Sequence, residues 1–336
     1  MKLHSKAPCR VDLAGGTLDI WPLYLYHDSP VTVNFAVDRY ASCVIETRDD
    51  TSIVLRSRDT AKEETFGSIA ELTAARNYRL PLLAWQLRFF RPEAGLVVET
   101  DSEAPAGGGI SGSSALIIAI NSALNRLTEA RYTLERIREI SQNIESQTIR
   151  VPTGSQDYYP AMYGGVNAIE LRPDGIRRQA IPVNFEELNE RTVLAYTGVP
   201  RNSGINNWEV MKAHIDGDRR VHRNFDRIAA IAQAMRAALE RADWGEAGRL
   251  LREEWAHRRR NVPGITTELI DRLVQATRKE GAAGAKACGA GGGGCVFFLV
   301  ERGAKERVAA AIEREGAQVL PVKVAPRGVQ VKVVSK

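Results

Sequence analysis

Cysteine is scarce in this chain, four in 336 residues, and Cys9, Cys43, Cys288 and Cys295 form neither a CxxC pair nor a zinc-ligand spacing. That leaves them as small core residues of a reduced protein. Long apolar runs are missing too. None approaches the roughly 18 residues of a membrane-spanning helix, and the opening Met-Lys-Leu-His-Ser-Lys has no apolar signal core. A cytoplasmic location with no membrane partner is the expectation. The net charge of +5 is scattered among nearby acids, and no basic stripe with interleaved aromatics accompanies it. The one dense basic run, Arg258-Arg259-Arg260 after Glu253-Glu254, reads as a solvated helix end rather than a nucleic-acid patch. A repeat of fixed period, a low-complexity tract and the P-loop pattern G-x-x-x-x-G-K-[ST] are also absent.

What remains is a globular composition, 44% hydrophobic and 26% charged, in a chain long enough for two domains. Alternating or β-branched runs predict strands at 31–35, 41–46, 52–56 and 95–100, and helices follow at 81–90, 114–128 and 134–147. A Gly/Pro/Tyr-rich loop at 154–165 leads to a strand at 166–171 and a turn at Pro173-Asp174-Gly175. Residues 173–190 are polar and weakly periodic, which suggests a junction between a first domain at 1–180 and a second at 190–336. The second half predicts a strand at 192–196 and helices at 205–240, 243–257 and 265–280. A Gly-rich strand at 284–300, a helix at 303–315 and a final strand pair at 318–324 and 328–334 complete it. Blocks of strands and helices without strict βαβ alternation indicate an α+β fold.

The most informative stretch is Pro105-Ala-Gly107-Gly108-Gly109-Ile-Ser111-Gly112-Ser113-Ser114-Ala115, which opens an apolar helix. A glycine loop at a helix start presents free N–H groups and the positive end of the helix dipole, a ready phosphate site. Gly107, Gly109 and Gly112 formally satisfy G-x-G-x-x-G, but the dinucleotide fingerprint usually follows a first strand, and this one lies a hundred residues in. A hydroxyl at the helix start can also ligate Mg²⁺; Ser113 or Ser114 could equally serve as the helix cap.

Two carboxylates come next. Glu145 sits late on a helix whose other face is Ile137, Ile140 and Ile144, and Asp157 lies in Gly154-Ser-Gln-Asp-Tyr-Tyr. Each reads equally as a surface glutamate and a turn aspartate. Beside a phosphate loop, a serine and two carboxylates also match Mg²⁺-dependent phosphoryl transfer, the metal taking hard oxygen ligands and one carboxylate taking a proton. A third glycine run, 289–294 with Gly291 inside it, enters an apolar strand as either a close-approach loop or a hairpin. Near the N-terminus, Arg10, Asp12, Gly15, Gly16, Thr17 and Asp19 form a cluster suited to a hydroxyl-bearing substrate, unless Arg10 simply pairs with Asp12 or Asp19.

Ala7-Pro-Cys-Arg10 through Gly15-Gly16-Thr17-Leu-Asp19, then 105–115, then Lys286-Ala-Cys-Gly289 through Cys295 resemble, in order, the three motifs of the GHMP kinase superfamily. The resemblance covers nearly the whole chain. It implies an N-terminal domain like the second domain of ribosomal protein S5, a ferredoxin-like C-terminal domain and an active site between them. ATP would lie on Pro105, Gly107, Gly108, Gly109, Ser111, Gly112, Ser113 and Ser114, with Gly291 across the cleft. Ser114 and Glu145 are the implied Mg²⁺ ligands. Asp157 is the implied base and Arg10 the cation at the moving phosphoryl group. Arg10, Gly15, Gly16, Thr17, Asp19 and Asp157 would face the sugar.

Within the superfamily, Leu-Ala-Gly-Gly-Thr-Leu-Asp and Gln156-Asp157-Tyr through Gly164-Gly165-Val-Asn-Ala-Ile-Glu170 resemble the sugar 1-kinases of D-glycero-D-manno-heptose 7-phosphate. Galactokinases tend to carry Gly-Glu-His at the first turn instead. Ile110-Ser111 departs from the more usual Leu-Gly of that subgroup, as does Arg150-Val-Pro-Thr before Gly154. The substrate's distal phosphate needs cations, for which Arg39, Arg201 and Lys212 are available. The alternatives are a galactokinase- or fucokinase-like enzyme acting on an unphosphorylated sugar, and a non-catalytic sugar- or RNA-binding member of the fold. Retention of Ser114, Glu145 and Asp157 together argues against the second, and no nucleic-acid partner is expected.

Overall fold

The computed structural model describes residues 1–200 and 203–335, with 203–206 and 335 described by backbone alone. Its strands form two sheets. The first is built around β1 (Lys2–Ala14) and β2 (Val31–Arg48), which pair antiparallel along most of their length. The sequence suggests two short strands at 31–46; the structure runs them together as one 18-residue strand. Outward from this pair lie β3 (Ile53–Ser57), β4 (Lys62–Phe66), β5 (Gly95–Ser102), β6 (Val166–Arg172) and β7 (Gly175–Ala180). Only β3 and β5 pair in parallel. Register slips between Pro8 and Cys9 and between Asp12 and Ala14 put a bulge on each side of Arg10. Bulges re-aim side chains, and here they flank the residues that reach the cleft.

Helices α1 (Ile69–Ala74), α2 (Pro81–Phe90), α3 (Gly112–Leu127), α4 (Leu134–Ile149) and α5 (Tyr158–Tyr163) belong to this half. Helix α3 is buried on every face from Ser114 to Leu124, which is why it is apolar all round. It packs on β1 and β2 and carries the glycine loop at its N-terminus. The loop expected at 154–165 contains α5, and the weakly periodic 173–190 holds β7 and α6 (Phe185–Glu190).

The second sheet has four antiparallel strands, β8 (Thr192–Tyr196), β9 (Ala282–Ala287), β10 (Cys295–Val300) and β11 (Gln318–Leu320), in the order β11-β8-β10-β9. That is the split βαβ arrangement of a ferredoxin-like domain. The long helix expected over 205–240 is two, α7 (Ser203–Ile215) and α8 (Arg219–Glu240), because Asp218 caps a new helix through its side chain. Helices α9 (Trp244–Arg258), α10 (Glu268–Lys279) and α11 (Lys305–Arg314) follow. The expected final strand pair is not a pair. β11 joins β8, whereas β12 (Gln330–Ser335) returns to the first sheet and pairs with β1. All four cysteines are buried and free. No helix among the described residues is long and apolar enough to cross a membrane.

The halves share a core. Phe35 of β2 meets Phe297 of β10 edge to face at 5.7 Å, and α8 packs on β1 and β2. The third glycine run is the hairpin loop between β9 and β10, and it docks on the first glycine loop. Cys295 N–H donates to the Gly108 carbonyl at 2.6 Å, and a Cβ on Gly294 (φ +72°) would sit 2.7 Å from that same oxygen. Gly294→Ala therefore carries both left-handed backbone strain and a clash against immobile backbone. A loss of about 2 kcal/mol or more is expected, seen as a melting temperature lower by several degrees.

Candidate active site

A cleft of about 500 Å³ lies between the two glycine loops and the N-terminal turn. Of the residues expected to act, Arg10, Gly16, Thr17, Asp19, Pro105, Gly107, Gly108, Gly109, Ser111, Gly112, Ser113, Ser114, Glu145 and Asp157 all line it. Gly15 and Gly291 do not. Gly15 packs under Val31, and Gly291 lies against the Ile265 carbonyl, so its place in the loop is packing rather than the cleft wall. Gly289 and Ala290 of the same run line the cleft instead.

At the mouth of α3, Ser111 is the residue before the first helical turn. It is buried, left-handed at φ 62°, and its side chain caps nothing. A left-handed serine is uncommon and persists where the surroundings fix it. No side chain therefore occupies the first-turn N–H groups, and the helix dipole points its positive end at the cleft.

Next to it, Ser113 Oγ donates to Glu145 Oε1 at 2.6 Å and Ser114 Oγ donates to Oε2 at 3.0 Å. Tyr158 OH donates to the same Oε2 at 2.5 Å. Neither serine caps the helix through its side chain. A hydroxyl that donates its proton to a carboxylate keeps its lone pairs for a cation. Burial, with help from Asp157, raises the Glu145 carboxyl above its usual range despite these three donors. The site is a set of hard oxygens around a buried carboxyl, the donor chemistry that Mg²⁺ takes. Tyr158 is a member the sequence reading missed; its adjacency to Asp157 was the only signal.

Arg10 is 2% exposed, and three of its five N–H donors are engaged. Its Nε and Nη2 donate to Asp157 Oδ1 at 2.9 and 2.6 Å, and Nη1 donates to the Gly109 carbonyl at 2.6 Å. The suggested pairing with Asp12 is present as a looser buried contact at 3.6 Å, beside the shorter one to Asp157. Arg10 thus ties the glycine loop to the carboxylate opposite.

Below it runs a buried charge network. Asp12 accepts from Lys286 Nζ at 2.5 Å and from Gly289 N–H at 2.9 Å. Lys286 also faces Glu254 at 3.5 Å, and Glu254 pairs with Arg258. Burial raises the Asp12 carboxyl, but Lys286, Arg10 and Arg258 outweigh it and hold it well below the usual carboxylate range. Arg258 corrects the reading of the basic run. Only Arg259 and Arg260 are exposed; Arg258 is 3% exposed and turns inward to the Gly16–Thr17 turn. It donates from Nη1 to Thr17 Oγ1 at 3.1 Å and from Nη2 to the Gly16 carbonyl at 2.8 Å. Thr17 is itself held at φ 70°, an outlier for a β-branched residue.

Asp19 is buried beneath the segment before α5. Its Oδ2 accepts from Gln156 N–H at 2.8 Å, and any Cβ on Gly154 would overlap that oxygen. Burial and the nearby Asp157 push its carboxyl up to about 7. Arg39 and Lys212, offered for a distal phosphate, do not line the cleft. Arg39 reaches the Glu103 carbonyl, and Lys212 pairs with Asp216 at 2.6 Å on an exposed helix face. Arg201 lies outside the described residues. The lysines and arginines lining the cleft, among the described residues, are Arg10, Lys62 and Arg79.

Open N–H groups at a helix mouth, a cluster of hard oxygens and a carboxylate held across from them are the parts that phosphoryl transfer asks for. Two family models match the chain: GHMP kinases N terminal domain over residues 77–165 and GHMP kinases C terminal over 235–318. The chain belongs to the GHMP kinases, and its two halves are that family's two-domain fold. It is 25% identical to the D-glycero-alpha-D-manno-heptose 7-phosphate kinase of Campylobacter jejuni, across 98% of both chains. Among solved structures it is similar to a D-glycero-D-manno-heptose 1-phosphate kinase from Bacteriodes thetaiotaomicron (TM-score 0.81, 24% identity, 99% of this chain and 100% of that one). It is similar also to Lactococcus lactis galactokinase complexed with galactose (TM-score 0.82, 18% identity, 98% and 95%).

The Asp19 carboxyl makes a pH-dependent contribution with a definite sign. Its unfolded pKa is about 3.9 and its folded value about 7. Between these the folded chain binds the extra proton, so stability falls as pH rises from about 4 to about 7. Asp19→Asn is expected to melt higher than the parent at about pH 8, the gap closing near pH 4. An equal gap at both pH values would contradict the assignment.

Proposed function

We propose that this kinase transfers the γ-phosphoryl group of ATP to the anomeric hydroxyl of a sugar, with D-glycero-D-manno-heptose 7-phosphate the favoured acceptor. The observation that carries the reading is the Arg10–Asp157 pair, set across the cleft from the Gly107–Gly109 loop and the Ser113/Ser114/Glu145 cluster.

The backbone N–H groups at the mouth of α3 hold the ATP phosphates, where donors and the helix dipole are already in place. Ser114 and Glu145, with Ser113 beside them, would hold Mg²⁺, which supplies charge neutralisation between phosphate oxygens. Asp157 is the base. Both of its bonds from Arg10 fall on Oδ1, so Oδ2 takes the proton from the attacking hydroxyl. Arg10 was expected at the phosphoryl group. Three of its five N–H donors are engaged by Asp157 and Gly109, which supports a positioning role for Asp157, and the rest of its charge lies beside the transfer path for the moving phosphoryl group. Gly16, Thr17 and Asp19 bound the acceptor side, and Arg258 fixes that turn. Phosphoryl transfer asks mostly for such positioning and charge placement.

The heptose 7-phosphate reading rests on the N-terminal turn, the Gln156–Glu170 stretch and the full-length similarity to the Campylobacter protein. An unphosphorylated sugar is the second reading, favoured by one observation: Arg39 and Lys212 lie away from the cleft. ADP release measured with heptose 7-phosphates, mannose, galactose, fucose and mevalonate, with NMR to locate the new phosphate, separates the two. Phosphate on C1 of a heptose 7-phosphate is the expected product. Turnover with no sugar overturns the proposal. Asp157→Asn should lower kcat at least tenfold with nucleotide affinity little changed; near-normal turnover would remove Asp157 from the base role.

A further inference from the structure

Three of the chain's five histidines meet away from the cleft. His27 follows the short turn of helix at Leu23–Tyr26, His214 sits at the end of α7 and His222 in the first turn of α8. One ring nitrogen from each lies within 4.8 Å of the others. His27 and His214 are buried, the latter 1% exposed.

The hydrogen bonds assign the free nitrogens. His27 Nδ1 lies 2.7 Å from Asp226 Oδ1, so it carries the proton and donates to the carboxylate. That leaves the lone pair on Nε2, which accepts a hydrogen bond from His214 Nε2 at 2.8 Å, and the proton between these two nitrogens is the one a cation would displace. His222 Nε2 donates to the His214 carbonyl at 2.9 Å, leaving its lone pair on Nδ1. His214 Nδ1 is buried with no hydrogen-bond partner among the described residues. An imidazole oriented by a carboxylate on its far nitrogen is the usual support of a metal-bound histidine. Packing three rings together with His214 Nδ1 buried and unmatched is otherwise a poor use of a polar group.

We infer that His27, His214 and His222 form a binding site for a borderline divalent transition metal, zinc foremost, with Asp226 orienting His27. Imidazole nitrogens suit Zn²⁺ and leave Mg²⁺, which requires oxygen ligands, to the cleft. Tetrahedral ligation at about 2.1 Å needs nitrogens about 3.4 Å apart. The His27–His214 contact must therefore widen by roughly half an ångström, and the His222 ring, stacked on His214 at 3.8 Å, must slide off it. A second cavity, of about 480 Å³ and lined by Tyr24, His27, Asp28 and Gln233 among others, gives a way in. Two of the ligands lie eight residues apart across the α7–α8 corner, and the third, His27, comes from a segment far away in sequence. A bound ion would clamp the segment that follows the Gly15–Asp19 turn onto the α7–α8 corner, and α7 reaches the cleft through Asn207.

The test uses the full chain without a histidine tag, stripped by chelator and desalted. Zn²⁺ is added and the bound metal counted, and Co²⁺ is added separately to read the visible absorption of a nitrogen-ligated tetrahedral ion. One equivalent of each and a rise in melting temperature with Zn²⁺, one that added Mg²⁺ does not displace, are expected. Asp226→Asn should weaken binding about 10–100-fold. His27→Gln with His214→Gln should abolish it, and His257→Gln, outside the cluster, should leave it intact. Circular dichroism checks that each variant folds. No uptake of either ion by the parent chain overturns the inference. So does binding that survives the double substitution or is lost with His257.

Discussion

The Asp12 carboxylate is the constraint on which the rest of the cleft depends. It is fully buried at the end of β1, where it accepts Lys286 from β9 and the Gly289 N–H from the hairpin loop. A buried ion pair is a doubtful source of stability, since desolvation of both partners offsets most of their attraction. Its value here is placement. Arg10, two residues earlier and so on the same face of the strand, holds the first glycine loop and Asp157. One face of one strand thereby sets the two glycine loops and the carboxylate relative to each other. Lys286 passes the tie on to Glu254 and Arg258, and Arg258 returns it to the Gly16–Thr17 turn. The loop formed by these contacts runs through both sheets, which explains how residues 10 and 286 share one wall.

The glycine motifs were legible in the sequence because their chemistry is local. A run of glycines before an apolar helix means backbone approaching something closely, whatever the rest of the chain does. Ser114, Glu145 and Asp157 were legible through resemblance. Helix ends at Pro81, Leu134 and Trp244 followed from pattern and capping alone. Arg258 was not legible, because a triplet of arginines after two glutamates looks the same whether its first member turns inward or out. Only the packing of α9 over the first-sheet turn decides that. Glu254 and Lys286 were hidden for the same reason: a charge is buried by its partners, and these partners are far away in sequence. The 18-residue β2 was read as two strands because its middle is polar, Asp38-Arg39-Tyr40; β1 spans both parts across a bulge there, while β6 and β5 each pair with one part. The last strand was assigned to the wrong neighbour because nothing in a short β-branched run names the edge it will join.

The third glycine run shows how a correct local reading can point to the wrong object. Its glycines do permit close backbone approach, as the sequence suggests. What approaches is the other loop: Gly294 meets the Gly108 carbonyl, and Gly291 meets Ile265. The run shapes the phosphate cradle from behind and contributes Gly289 and Ala290 to the wall.

Asp157 and Tyr158 are consecutive residues at the start of α5, and they face different partners. One is gripped by Arg10; the other donates to Glu145. The chain thus crosses from the Arg10 contact to the Glu145 contact within one residue. The start of α5 is therefore anchored on two sides at once, by a guanidinium from β1 and a carboxylate from α4, and a change to either anchor meets the same short stretch of backbone.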